Sequence, residues 1–122
     1  MKKFFAVSVI LALLVPASAL PAGKVAEAKL GKRVVDRQVA DETSVFAPGE
    51  KAYLWMKIDD AAGEILTVTW QINGQTYPAE LKIGASPWRT WASKSLHIAG
   101  EWIVSVSDAT GAKLYETKLT VR

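Results

Sequence analysis

Residues 88–94 hold the side chains best suited to contact a ligand in this sequence of 122 residues. If the segment is a strand, Arg89, Trp91 and Ser93 lie on one face and Lys94 lies on the other. A tryptophan ring offers a flat surface to a sugar or an apolar group, and an arginine beside it binds a carboxylate or a hydroxyl. The sequence therefore predicts a ligand-binding site at these four positions.

A second aromatic surface is predicted on the apolar run of residues 52–58. Tyr53, Trp55 and Lys57 alternate there with apolar residues and share one face of the expected strand. Trp55 is a candidate binding residue if no other part of the domain covers that face.

Burial in the core is the alternative interpretation of each tryptophan. A buried tryptophan with an arginine stem packed across a sheet face has the same sequence pattern as a binding surface. The core is favoured for Trp88 and Trp102, whereas the two interpretations are equally supported for Arg89 and Trp91.

No motif for a metal, a cofactor or catalysis accompanies these residues. His97 is the single histidine and the chain has no cysteine, which excludes thiolate zinc, iron–sulfur clusters and a cysteine nucleophile. Asp59 and Asp60 fall where aspartate is common in turns, and this is favoured over a calcium site. No spacing predicts a catalytic triad or carboxylate pair. We expect no cofactor, no metal and no catalysis, and an enzyme of unknown reaction ranks third among the possible functions.

The first 19 residues have the pattern of an export signal. Lys2 and Lys3 precede a 12-residue apolar stretch, residues 4–15, and small residues follow up to Ala19. The stretch is shorter than the roughly 20 residues that span a bilayer, so cleavage after Ala19 is favoured over a membrane anchor. We expect a periplasmic or secreted protein, attached to the membrane only if the signal stays uncleaved.

The processed chain is nearly neutral and has the composition of a folded domain. Cleavage leaves 103 residues with 13 basic and 12 acidic side chains, whereas nonspecific nucleic-acid binding needs a concentrated positive field. A hydrophobic share of 50% with 22% charged residues is typical of a globular chain with one core. Because no disulfide can form, that core must supply the stability.

Short strands separated by turns are predicted from residue 33 onward, with no helical period. Residues 20–32 lack a clean pattern and are predicted to be a flexible lead-in. Residues 33–40 are expected at a sheet edge, and residues 52–58 are expected in a central strand. The remaining strands are predicted over residues 66–72, 75–83, 88–95, 102–107 and 115–121.

Asn73 and Gly74 give the strongest turn signal, because a two-residue type I′ turn needs positive φ at both positions. Pro48 followed by Gly49 predicts a type II turn. Pro78 cannot donate to a ladder, so its strand is expected to be bent or at an edge. The expected pairs across the hairpin are Ile72 with Gln75, Gln71 with Thr76 and Trp70 with Tyr77.

The number and spacing of these strands predict an all-β fold. About seven short strands over residues 33–122 are typical of a single immunoglobulin-like antiparallel β-sandwich, here without its disulfide. An eight-stranded barrel is the alternative.

Several turn and core positions also match a known pattern. The sequence resembles the bacterial family called domain of unknown function 2914 over about residues 34–121. The resemblance implies an extracytoplasmic or membrane-attached module with no established activity. Family members often carry a histidine two residues before the first matching tryptophan, where this chain has Val68, so no role of that histidine carries over. The matching residues are Trp70, Asn73, Gly74, Trp88, Arg89, Thr90, Ser93, Lys94, Gly100, Trp102, Asp108 and Gly111.

These observations predict an exported, non-catalytic binding module of the bacterial cell envelope. The favoured ligand is a protein partner bound at an edge strand, either residues 33–40 or the strand that contains Pro78. The alternative is a carbohydrate or cell-wall polysaccharide held by exposed tryptophan, with Arg89 and Lys94 as polar contacts. No nucleic-acid partner is expected, and the sequence leaves the oligomeric state open.

Overall fold

The computed structural model describes residues 23–122. The expected signal peptide, its cleavage site and the first residues of the expected lead-in lie outside the described residues. Residues 23–122 form nine strands, and no helix among them is long and apolar enough to cross a membrane. The strands are β1 (Lys24–Val35), β2 (Gln38–Glu42), β3 (Val45–Phe46), β4 (Lys51–Asp59), β5 (Ile65–Ile72), β6 (Gln75–Lys82), β7 (Trp88–Ser95), β8 (Gly100–Ser107) and β9 (Lys113–Val121).

The strands form two sheets. The four-stranded sheet has the order β2-β1-β4-β7, and the five-stranded sheet has the order β3-β9-β8-β5-β6. Neighbouring strands are antiparallel except β3 and β9, which are parallel. The all-β prediction is confirmed. The count of about seven strands is wrong, because nine strands form and the two-residue β3 is too short to leave a pattern.

Two predictions near the N-terminus are wrong. Residues 24–32 are not a flexible lead-in, because they belong to β1, which pairs with β2 and β4. Residues 33–40 are not one strand but a hairpin that turns at Asp36 and Arg37, with φ of 51° and 61°. The residues of β1 are mostly exposed or half-buried, so their side chains show little alternation between apolar and polar residues. Backbone pairing with β2 and β4 makes this segment a strand.

The predicted turns are present in the structure. Asn73 and Gly74 have φ of 49° and 78°, and the three expected pairs across the β5–β6 hairpin are all observed. Gly49 has φ of 91°, and the amide of Glu50 donates to the carbonyl of Ala47 at 3.0 Å, as in a type II turn. Strand β6 lies at a sheet edge, as Pro78 predicted.

The core lies between the two sheets and uses the predicted apolar faces. The side chains at alternate positions of β4 are fully buried, and so are those of β5 and β8. Trp70 and Trp102 are each 1% exposed, and the Tyr77 ring lies 6.0 Å from that of Trp102. Burial of each large side chain contributes about 1.5–3 kcal/mol. The main core residues are Leu54, Met56, Ile58, Leu66, Val68, Trp70, Ile72, Trp102, Val104, Val106 and Leu119.

A buried carboxylate organises the turn between β8 and β9. An oxygen of Asp108 accepts hydrogen bonds from the Thr110 hydroxyl at 2.6 Å, the Thr110 amide at 2.9 Å and the Ala112 amide at 3.0 Å. The bond from the Thr110 side chain holds the pKa of Asp108 below its usual range, and the backbone amides add to the effect. Asp108 is therefore ionised in the folded protein at neutral pH.

This turn predicts a pH dependence of stability. Because folding lowers the pKa of Asp108, its carboxylate stabilises the fold above the pKa of the unfolded chain. That contribution is lost as the pH falls through the lower pKa of the folded state. We expect Asp108→Asn to lower the melting temperature at neutral pH, and we expect the difference from wild type to shrink in acid. Thermal melts across that range measure it, with Glu101→Gln on β8 as the control for loss of one exposed charge. A difference that stays constant with pH would contradict this role of Asp108.

Candidate functional site

Three of the predicted site residues lie together on the outer face, the side of the four-stranded sheet directed away from the core. Arg89, Trp91 and Ser93 alternate along β7 and are all exposed, Trp91 by 37%. Their neighbours on β4 are directly opposite: Lys57 faces Arg89, Trp55 faces Trp91, and Tyr53 faces Ser93.

Lys94 lies on the opposite side of β7 from these three residues. Its ammonium nitrogen is 4.0 Å from the centre of the Tyr77 ring, within the range of a cation–π contact. Since Tyr77 belongs to β6 of the other sheet, Lys94 joins the two sheets. The structure therefore does not bring Lys94 into a common surface with Arg89, Trp91 and Ser93.

Trp55 faces outward but is only 4% exposed, because the β1–β2 hairpin covers it. Its indole nitrogen donates a hydrogen bond of 2.9 Å to the carbonyl oxygen of Arg37 in the hairpin turn. The ammonium of Lys29 lies 6.0 Å from the centre of the ring. Trp55 offers no open surface to a ligand. Its role is to hold the hairpin against the sheet.

Gly31 allows the hairpin to approach its own strand closely. A Cβ atom at this buried position would lie 2.9 Å from the carbonyl oxygen of Ala40 and would also collide with the side chain of Val39. Across the hairpin, Nε of Arg33 donates to the Asp41 carboxylate at 2.9 Å. A residue without a side chain is thus needed where the chain leaves the sheet and folds over Trp55.

The hairpin brings a residue to the outer face that sequence reasoning missed. Arg37 lines a cavity of about 260 Å³ together with Lys57, Pro87 and Arg89. We call Arg37, Lys57 and Arg89 the basic cluster. Nothing in the local sequence could have identified Arg37, because its position depends on how the hairpin folds over the sheet. A second cavity, of about 450 Å³, is lined by Arg37, Glu80, Leu81, Lys82, Trp88, Arg89, Thr90 and Trp91.

The basic cluster has an excess of positive charge. None of the four ion pairs within residues 23–122 involves Arg37, Lys57 or Arg89. Glu27 is opposite Lys57 on β1, but its carboxylate lies 3.7 Å from the Lys29 ammonium. Because Lys57 and Arg89 are directly opposite across the strands, their like charges disfavour the fold.

The β7 edge, the side of β7 that does not face β4, carries a row of backbone groups available for pairing. Within the part of the chain that the structure describes, no strand pairs with that side. The amide of Leu96 donates to the Glu50 carbonyl at 2.9 Å, so Leu96 and Glu50 are a hydrogen-bonded pair. Hydrogen-bonded and non-hydrogen-bonded pairs alternate along the β4–β7 ladder, so every second residue of β7 from Lys94 back to Trp88 bonds to β4. The residues whose N–H and C=O groups point to the β7 edge are therefore Arg89, Trp91, Ser93 and Ser95.

The other three sheet edges are less suited to pairing. In a two-residue hairpin the two residues beside the turn, here Ile72 and Gln75, form a hydrogen-bonded pair. Non-hydrogen-bonded and hydrogen-bonded pairs then alternate away from the turn, so Thr69 and Pro78 form a non-hydrogen-bonded pair. The nitrogen of Pro78 thus faces the outside of β6 and removes a donor there. Strand β2 has five residues and contains Asp41 at φ of 55°, and β3 has two residues. Strand β7 is the longest uninterrupted edge within residues 23–122.

The comparison with family models confirms the resemblance found in the sequence. Residues 63–121 match the family described as Protein of unknown function (DUF2914). The DUF2914 segment contains β7 and its edge, whereas Arg37 and Lys57 of the basic cluster precede it. No curated protein sequence matches the chain.

A solved structure shares the fold at low sequence identity. The alkylpurine DNA glycosylase AlkC of Pseudomonas fluorescens, bound to DNA containing an abasic site analog, is 14% identical with a TM-score of 0.58; the match covers 90% of this chain and 33% of the glycosylase. The chain thus spans about a third of that enzyme, and the likeness shows the fold alone. A Niemann-Pick type C2 protein from the Japanese carpenter ant is 9% identical over 84% of this chain and 94% of its own, and its TM-score of 0.49 supports no argument.

The bond between Trp55 and Arg37 predicts the effect of removing the indole N–H donor. Trp55→Phe keeps an aromatic ring but removes the donor to the Arg37 carbonyl. We expect the free energy of unfolding to fall by at least about 0.5–1.5 kcal/mol, because the hydrogen bond is lost and the smaller ring also loses packing at a buried position. We also expect the hairpin amides near Arg37 to exchange hydrogen faster, as measured by mass spectrometry. Trp91→Phe, at an exposed ring, is the control and should leave that exchange unchanged. Equal exchange in the Trp55 variant and wild type would show that the bond does not hold the hairpin.

Proposed function

We propose that the protein is an exported, non-catalytic binding module of the bacterial cell envelope that pairs with an extended segment of a partner protein along the β7 edge. The observation that carries the proposal is the uninterrupted row of outward-facing backbone groups on β7. The sequence predicted a binding edge at residues 33–40 or at the strand that contains Pro78, whereas the structure favours β7. The reason is that residues 33–40 form a hairpin whose edge strand β2 is short and contains Asp41 at positive φ, and that Pro78 removes a donor from the edge of β6.

Strand addition explains how one edge can supply both affinity and specificity. Each backbone hydrogen bond to the added strand contributes about 0.5–1.5 kcal/mol. Alternate side chains of that strand would lie on the outer face beside Arg89, Trp91 and Ser93. The side chains between them would point toward the cavity that Leu81 and Trp88 line.

We also propose that the sandwich is of the immunoglobulin type. The main strands follow the succession β1, β4, β7 in one sheet and β9, β8, β5, β6 in the other. This agrees with strands A, B, E and G, F, C, C′ of immunoglobulin domains. Trp70 on β5 takes the place of the buried tryptophan of strand C. The core packing of Trp70 and Trp102 replaces the disulfide that such domains often contain.

Removal of one outward-facing amide tests the binding edge. Ser93→Pro eliminates a donor that points away from β4, so the ladder with β4 is preserved. Ser93→Ala changes the same side chain but keeps the amide and is the matched control. We expect peptides selected from a displayed library on the exported wild-type protein to bind Ser93→Ala with similar affinity and Ser93→Pro at least about tenfold more weakly. Circular dichroism checks that both variants fold. Equal binding by the folded proline variant would contradict pairing at β7.

A carbohydrate or cell-wall ligand is the second candidate, favoured by the exposed ring of Trp91 beside Arg89. In that case Trp91→Ala should abolish retention of the protein on peptidoglycan or polysaccharide while the melting temperature stays near that of wild type. The ring is on the surface, so its removal leaves no core cavity. Retention equal to wild type would exclude this ligand class at Trp91.

A further inference from the structure

The basic cluster lies at the beginning of the β7 edge, and its cavity contains no acidic residue. Arg37 comes from the hairpin turn, Lys57 from β4 and Arg89 from β7. Arg37 and Arg89 are exposed, and Lys57 is half-buried. The cavity of about 260 Å³ between them is large enough for a carboxylate group. Three cationic residues therefore line one space that is open to solvent.

The fold holds these charges together against their repulsion. Lys57 and Arg89 are adjacent because of the strand register, and the hydrogen bond from Trp55 keeps Arg37 beside them. Among residues 23–122 no carboxylate lies within ion-pair distance of any of the three. A bound anion would relieve this repulsion, and a guanidinium binds a carboxylate through two parallel hydrogen bonds.

Acidic residues lie near the basic cluster, but none within residues 23–122 forms an ion pair with it. Asp59 shares the outer face of β4 with Lys57, and Asp36 precedes Arg37 in the hairpin turn. The carboxylate of Glu27 pairs with Lys29. Glu80 lines the larger cavity, where Lys82 and the two arginines outnumber it. A negative group supplied from outside the chain is thus the complement that this surface lacks.

We infer that the segment that pairs with β7 is acidic, with a carboxylate opposite Arg89 bound by the basic cluster and an apolar or aromatic side chain two residues away against Trp91. This inference rests on the proposed strand pairing. Directly opposite residues in paired strands have Cβ atoms about 4.5–5.5 Å apart, so a glutamate opposite Arg89 reaches the guanidinium. The ring of Trp91 lies on the same face, two residues further along β7.

A peptide fits this surface better than a nucleic acid does. Binding to a nucleic acid depends on many cations spread along the phosphate backbone. The basic cluster is one small site in a chain with 15 basic and 12 acidic side chains. Arg89 also supplies both a guanidinium and outward-facing backbone groups, which together match the side chain and the main chain of a single peptide residue.

Two matched synthetic peptides test the inference. In the first peptide every second residue is threonine, and the positions between are filled alternately by glutamate and phenylalanine. In the second peptide glutamine replaces each glutamate. We expect the exported wild-type protein at low salt to bind the glutamate peptide about tenfold more tightly than the glutamine peptide, as measured by isothermal titration calorimetry. Arg37→Gln and Arg89→Gln should remove this preference while the glutamine peptide still binds. Lys118→Gln, which removes an exposed charge on β9, is the control and should retain the preference.

Stability gives a second readout that does not depend on a peptide. At low ionic strength, Arg89→Gln should raise the melting temperature because it relieves the repulsion with Lys57, and Lys118→Gln should not. Concentrated salt should remove the difference. An unchanged or lower melting temperature of Arg89→Gln at low salt would show that the cluster is not under electrostatic strain and would count against the inference.

The outcomes separate this inference from the proposed function. Equal binding of the two peptides, with both lost in Ser93→Pro, would overturn the acidic assignment and leave pairing at β7 intact. A glutamate preference that survives in Ser93→Pro would contradict strand pairing, and with it the inference. Duplex DNA that binds through Arg89 while neither peptide binds would identify the cluster as a phosphate site and would also overturn it.

Discussion

The hydrogen bond between the indole of Trp55 and the carbonyl of Arg37 determines the character of the outer face. It holds the β1–β2 hairpin across the four-stranded sheet, and the close approach at Gly31 makes this path possible. The hairpin has two opposite effects. It removes one tryptophan from solvent, and it brings an arginine from a distant part of the chain beside Lys57 and Arg89. The buried contact between Trp55 and the hairpin, on the outside of the sandwich, thus places Arg37 in a positively charged surface.

The geometry of a strand explains why backbone and side chains act together at β7. Side-chain direction and amide direction both alternate with a period of two residues, so the two are locked to each other. In β7 the residues that present side chains to the outer face also present N–H and C=O groups to the edge. Arg89, Trp91 and Ser93 therefore form one surface with two kinds of contact. Lys94 is one residue further along, so its side chain lies on the opposite face of β7 and contacts Tyr77 of the other sheet instead.

Sequence reasoning succeeded where a local pattern and the tertiary environment agree. The alternation in β4 and β5 identified the buried faces, since one side of each strand meets the other sheet. The hairpin at Asn73 and Gly74 was predictable because positive φ at both positions is a local requirement. It failed over residues 24–32, where exposed and half-buried side chains leave no clear alternation. Pairing with β2 and β4, which lie outside the segment, makes it a strand.

By itself the sequence determined which side chains of β4, β5 and β8 share a face and where the glycine-containing turns lie, because both properties depend on neighbouring residues. Only the tertiary structure decided which strands end a sheet and which outward-facing side chains remain open. Trp55 and Trp91 have the same position in their local patterns, yet one is buried and the other exposed. The difference comes from the hairpin of β1 and β2, whose path over the sheet is set by contacts between residues far apart in the chain.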